Sequence, residues 1–269
     1  MLLQREPPPA LRPFLGTLWA GEPVACGPAF RERVLPTGHM HLVFRSSAHP
    51  LRILDDPQDH CGGSFAHAVV GGVRAGAYLR EVLPDGASVG AELRADACMA
   101  LFGVPADVLA GRHVPLEDLW GAEAMHACDR IFSARGASAR LDAFTEILAA
   151  RLPRVHGLHP AVAAALAGSG ESQDVHAMVA ASGYSHRHFI AVFERETGLT
   201  PKRFCRVQRF RRLLADAASH PALSWTDLAL AQGYSDQSHF NREFRAFAGI
   251  TPGEYRRAAP RYPHHVPLA

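Results

Sequence analysis

The spacing of apolar positions along the chain changes period twice. Up to about residue 92 the apolar runs are short and broken by Gly, Pro and Asp, as at 12–20, 39–44, 68–73 and 87–93, which predicts a β-rich region. In LPTGHMHLVF a turn at Pro36-Thr37-Gly38 leads into a strand. Alternation puts Met40, Leu42 and Phe44 on one face and His39, His41 and Val43 on the other. From about residue 95 the spacing becomes helical, at 95–102, 128–133 and 139–152, with a short turn at 105–109. Leu141, Phe144, Ile147 and Leu148 form one apolar stripe, which either packs on the β region or is a seam between two copies. A short linker, PRVHGLHP, carries turn-forming residues at both ends. From 160 to about 258 every segment is helical by pattern: 160–167, 175–181, the two stretches treated below, 201–219, 225–232 and 251–258. The tail RYPHHVPLA has two prolines and few packing residues, and disorder is expected of it. The expected fold is α+β: a β-rich domain with a helical extension over 1–155, an all-α domain over 156–259, and the tail 260–269.

Within the helical region one sequence occurs twice, as GYSHRHFIAVFERETGLTP from Gly183 and GYSDQSHFNREFRAFAGITP from Gly233. Each copy has Gly-Tyr-Ser at a turn, two phenylalanines four apart, a glycine, then Thr-Pro. In the first, Ser185 can cap the following helix by accepting an amide hydrogen bond. Phe189, Val192 and Phe193 then share the buried face, leaving His186, Arg187, Ile190, Ala191 and Glu194 outward. The second copy has one inserted residue, so Asp236 takes the capping place. Phe240, Phe244 and Phe247 are buried, and Gln237, Ser238, His239, Asn241 and Arg242 remain outward.

A major groove admits a helix, and the first residues of that helix reach the base edges. Gln237 or Asn241 can bond bidentately to adenine, Arg242 to guanine, and Arg187 to guanine or phosphate. Ile190 and Ala191 can only touch thymine methyls, so the first helix should discriminate less by hydrogen bonds. The helix at 201–219, with Phe204, Val207, Phe210, Leu213, Leu214 and Ala217 along one side, spaces the copies. A rigid spacer could set them about 34 Å apart, one turn of duplex. Arg206 on that spacer is a candidate phosphate contact. The competing reading, a helical bundle with a repeat and no DNA role, leaves Gln237, Ser238 and Arg242 on a duplicated turn-helix unexplained.

Charge shifts this picture modestly. The net charge of +2 divides unevenly. From Pro160 onward 13 basic residues face 9 acidic ones, a net of +4, against −2 for the remainder. Lys202 is the only lysine, and arginine makes the better forked contacts to phosphate and guanine. Five scattered cysteines (Cys26, Cys61, Cys98, Cys128, Cys205) fit reduced thiols in a cytoplasm and no Cys-x-x-Cys site. No apolar run approaches a membrane span, and the first residues do not read as a secretory signal.

Other chemistry is sparse. His39 and His41, with His60, Cys61 and His67, could hold a metal, but no compact ligand spacing supports it, and no metal site is assigned. The glycines of CGGSFAHAVVGGVRAG match no phosphate loop and read as bulges and turns. GASVG, around Ser88, matches the letters of a nucleophile elbow, but a turn precedes it and strand pattern follows. Trp19, Phe30, Phe44 and Phe65 read as core.

Residues 160–258 resemble the DNA-binding domain of the AraC/XylS family of bacterial transcription regulators. The most specific stretch is LALAQGYSDQSHFNREFRAFAGITPGEYR, with Ala229, Gly233, Phe240, Phe244, Phe247, Gly249, Pro252 and Tyr255 as its supports. The spacer RVQRFRRLLADA matches loosely, with Phe210 where leucine or alanine is more usual. The resemblance implies seven helices in two helix-turn-helix subdomains joined by the long helix. It implies DNA contacts from Arg187, Ile190 and Ala191 in the first reading helix and Gln237, Ser238, Asn241 and Arg242 in the second, and His186 joins this set by position. Ile190 and Ala191 depart from the polar residues often found there. VLPTGHMHLVF and VGAELRADACMALFGVPADVLAGRHVPLEDLWG resemble a β-rich domain that precedes this one in some uncharacterised regulators. The expectation is a cytoplasmic transcription regulator without enzyme activity or cofactor. Its expected partners are double-stranded DNA and RNA polymerase, with a small-molecule effector and a homodimer as candidates. Activation is the family's commoner mode, and repression stays open. The alternative is a DNA-targeted enzyme or metal sensor with a His/Cys site in the N-terminal domain.

Overall fold

The computed structural model describes residues 2–23, 29–56, 58–59, 62–82, 86–95, 97–152, 157–168 and 174–268. Among the described residues the N-terminal region opens with nine strands: β1 (Leu2–Arg5), β2 (Leu15–Gly21), β3 (Phe30–Val34), β4 (Met40–Arg45), β5 (Leu51–Leu54), β6 (Gly63–Phe65), β7 (Ala68–Gly71), β8 (Tyr78–Val82) and β9 (Ser88–Leu93). Helices α1 (Ala97–Phe102) and α2 (Ala106–Leu109) follow, then β10 (His113–Pro115), α3 (Glu117–Trp120), α4 (Glu123–Ser133) and α5 (Ala137–Arg151). The strands form two antiparallel sheets, β1-β2-β9-β4-β7-β10 and a five-stranded one that begins β3-β8-β5-β6.

The alternation read in β4 sets the layering. Met40, Leu42 and Phe44 are buried and look toward the helices, where Phe44 meets Phe144 of α5 edge-on at 5.7 Å. Val43, on the other face, packs between the sheets with Leu51, Ile53, Phe65, Val69 and Tyr78. The stripe Leu141, Phe144 and Leu148 is fully buried against the β region within the chain, which removes it as a seam between copies. Each such side chain contributes about 2 kcal/mol by leaving water. Phe30, expected in the core, is 45% exposed at the start of β3.

The C-terminal region has seven helices among the described residues: α6 (Pro160–Ala167), α7 (Val175–Ser182), α8 (His186–Thr197), α9 (Pro201–Ser219), α10 (Trp225–Ala231), α11 (Gln237–Ala248) and α12 (Pro252–Ala258). Thr-Pro opens α9 and α12 alike: the threonine caps, and the proline sits in the first turn, where its missing N–H costs nothing. Phe204, Val207, Phe210, Leu213 and Leu214 of α9 are buried, with Phe204 against Phe193 of α8 and Phe210 against Phe244 and Phe247 of α11.

Two further findings depart from the sequence reading. The tail is ordered: β11 (His265–Pro267) pairs antiparallel with β3, and so completes the five-stranded sheet. Val266 is buried, Leu35 N–H donates to the His264 carbonyl, and Leu268 N–H to the Arg31 carbonyl. Sheet pairing needs backbone groups more than apolar side chains, so composition did not reveal it. In addition, the larger core runs without a break from the β region into α8, α9 and α11.

Candidate nucleic-acid interface

The two copies build the same local structure. Ser185 caps α8 by accepting from His188 N–H at 3.4 Å, and Asp236 caps α11 by accepting from His239 N–H at 2.7 Å. That amide bond comes first among the influences holding the Asp236 carboxyl below its usual range. Each helix ends at a glycine in the left-handed region, Gly198 at φ 75° and Gly249 at φ 67°, where a Cβ would be strained. Phe189 and Phe193 in one copy, and Phe240 and Phe244 in the other, are almost wholly buried.

On the opposite faces, His186, Arg187 and Ala191 are exposed and Ile190 half-buried on α8. Gln237, Ser238, Asn241 and Arg242 are all exposed on α11. The structure thus gathers the residues of each set on one outward, N-terminal helix surface, with the two surfaces joined by α9. Nineteen residues make α9 about 28 Å long. Arg245, exposed one turn beyond Asn241, continues the second surface. The sequence reading passed over it, although the spacing of three and four residues from Arg242 and Asn241 was there to find it.

The chief difference lies beneath these surfaces. Val192 of the first copy aligns with Glu243 of the second, a carboxylate only 3% exposed. It accepts from Arg206 Nε at 2.7 Å and Arg209 Nη2 at 2.9 Å, both on α9. Burial alone would raise the Glu243 carboxyl, but the two arginines outweigh it and the net shift is downward. Arg206 also lies over the Phe247 ring and Arg209 over Tyr234. Arg206, the candidate phosphate contact on the spacer, bonds the buried carboxylate through its Nε, which ties the spacer to α11.

The histidines considered for a metal are dispersed. His39 bonds to Arg211 of α9, and burial, then Arg211, hold its pKa down at about 3. His41 faces Trp19, and burial, then His265, hold it at about 3. His67 is exposed, and His60 and Cys61 lie outside the described residues. Among the described residues no group of three or more His, Cys, Asp or Glu is disposed to hold a metal ion. Ser88 sits within β9 between Gly21 and Arg45, and the glycines around it are close-contact positions: Gly86 against the Ser47 backbone, Gly90 under the Trp19 ring.

Between the β region and the first copy lies a cavity of about 370 Å³. His39 and Arg94 line it from one side, and Leu158, Leu166, Phe204 and Gln208 from the linker, α6 and α9. No helix among the described residues is long and apolar enough to cross a membrane.

Comparison with known proteins agrees with this anatomy. Residues 178–258 match a helix-turn-helix domain family, and residues 3–115 match a domain of unknown function, DUF6597. No curated protein matches the chain. Among solved structures, ToxT from Vibrio cholerae at 1.65 Å resolution is 7% identical, over 89% of this chain and 98% of that one, with a TM-score of 0.47. Unsaturated fatty acid bound wild-type ToxT from Vibrio cholerae strain SCE256 is 8% identical, over 95% and 94%, with a TM-score of 0.46. Likenesses this distant carry no weight for function. The helix-turn-helix match and the doubled unit do: residues 178–258 are a DNA-binding helix-turn-helix domain of the AraC type, behind a domain of unknown function.

Proposed function

We propose that α8 and α11 enter two successive major grooves of one operator, so that a single chain reads two half-sites. The observation that carries this is the equivalence of the two capped helices, each with its phenylalanines inward and a distinct outward surface. Gln237 or Asn241 would bond adenine, Arg242 guanine, and Arg187 guanine or phosphate, with His186 and Ser238 at the N-terminal ends. Each good bidentate contact is worth roughly 1–3 kcal/mol of discrimination. Ile190 and Ala191 would add methyl contacts, so the first half-site should be the more permissive. Activation through RNA polymerase rests on the family alone.

Selection of bound sites from random duplex DNA by the full chain, at controlled salt, tests the reading. Two enriched motifs about one helical turn apart are expected. Salt-sensitive binding without an enriched motif would reduce the protein to a nonspecific binder.

The cavity supports a second element of the proposal, control by a small molecule. Its volume lies within the range of ligand pockets, and domain junctions are where such pockets concentrate. An occupant would touch the β region and the first reading unit at once. Ala163→Trp, which fills the cavity from α6, should change operator affinity by about fivefold or more, the usual range for coupled sites. Unchanged affinity would remove the cavity from the mechanism.

A further inference from the structure

The two reading units meet the N-terminal region at the same point of the repeat. Gly198 and Gly249 are equivalent, and both lie against that region. A Cβ at Gly198 would sit 2.5 Å from Val73 Cγ1 and 3.0 Å from the Ala106 carbonyl oxygen; one at Gly249 would meet the Arg33 guanidinium. Beside the second glycine, Phe247 O accepts from Ala77 N–H at 2.9 Å, and Ala248 O from Arg33 Nη1 at 3.3 Å. These are carbonyls of the last turn of α11, which the helix itself leaves without partners.

Val73 and Ala77 belong to one loop, between β7 and β8. One end of the loop touches the first unit and the other end the second. Four residues reach at most about 14 Å, so this strap limits how far the two helix ends can separate. The loop is itself held. Gly72 N–H donates to Arg112 O at 2.8 Å and Gly111 N–H to Val73 O at 2.9 Å, and a Cβ on Gly72 would collide with the Leu109 carbonyl. Gly72, one of the glycines that match no phosphate loop, thereby gains a physical reason.

A single helix joining two heads still curves under load. A second connection between the same heads closes a ring of α8, α9, α11 and the loop, and removes that freedom. We propose that residues 72–77, with Arg33, are a brace that sets the separation and rotation of the two reading helices, so that the N-terminal region dictates the permitted gap between operator half-sites. This rests on the two-headed reading above. Arg33 and Ala77 are positioning residues in this scheme and touch no base.

The test uses the full chain and a duplex library carrying the two selected motifs with the gap varied one base pair at a time. The wild type should prefer one gap and lose roughly tenfold in affinity when it changes by two base pairs. Arg33→Ala removes one hydrogen bond at the half-buried rim, and Ala77→Pro removes the other donor. In both, the gap penalty should shrink to about threefold or less while base preference within each motif is unchanged. Circular dichroism melting establishes that each variant is folded, and Arg33→Ala stands alone if Ala77→Pro is not. A folded Arg33→Ala with the wild-type gap profile overturns the brace and leaves two-headed reading intact. A wild type that selects no paired motif overturns both.

Discussion

The two helix-turn-helix units share a frame and differ in what the frame carries. Caps, phenylalanines, left-handed glycine and Thr-Pro recur position by position. At the next positions inward and outward, Val192 opposes Glu243, Ile190 opposes Asn241, and Ala191 opposes Arg242. The apolar frame is constrained by close packing, which punishes any change of volume. The outward positions face water and are free to diverge. The second unit has used that freedom for hydrogen-bonding groups, and the first for methyl groups. The buried Glu243 with its two arginines adds a polar lock that the first unit lacks, so the second reading helix is held to the spacer by directional bonds as well as by packing.

The largest expected effect sharpens the shared half of this comparison. Phe193→Ala and Phe244→Ala, both at wholly buried sites, should each cost roughly 3–4 kcal/mol in urea unfolding. A difference between them beyond about 1.5 kcal/mol would break the equivalence of the two cores. Next in size is the polar lock. Glu243→Ala should cost about 2 kcal/mol, less than a fully buried pair because Arg206 and Arg209 keep partial access to water. Val192→Ala at the matching site should cost about 1 kcal/mol, and equal losses would show that the lock adds nothing.

The outward chemistry comes third. Arg242→Ala should relax base preference in one half-site by about 1.5 kcal/mol, and Ala191→Arg should create a preference in the other. Unchanged preferences in both would refute the assignment of faces. Last is a pH effect on the side of the molecule that holds the second unit, small near neutrality and growing as the pH is lowered. His41, His113 and the tail's His264 are enclosed and kept neutral, with pKa values down at about 3, 3 and 4, first by burial. An unfolded histidine takes up its proton near pH 6.5. Their contribution is therefore complete above about pH 6.5 and is lost as pH falls from there through the folded values near 4 and 3. The protection of the Leu35 and Leu268 amides, which bind the tail, measured by hydrogen exchange and corrected for the intrinsic pH dependence of amide exchange, should fall below pH 6. Equal protection at pH 7.5 and pH 5 would contradict this.

Much of the reading region was legible in the chain alone. Helical period, capping residues and glycine stops are local properties, written within a few residues of the structure they specify. Hence α8, α9 and α11, their buried phenylalanines and their exposed polar faces follow from spacing. The alternation of β4 was legible for the same reason. What the chain could not disclose depends on contacts between distant residues. The pairing of β11 with β3, the short β10 between helices, the burial of Glu243 between two arginines, and the strap from Val73 to Ala77 each join parts far apart in sequence. Their backbone groups and charges carry no local mark of the partner they will meet. The sequence by itself determined two helix-turn-helix units and the chemistry on their outward faces; only the tertiary structure decided how their helices are tied to the N-terminal region, because ring closure is a property of the folded whole.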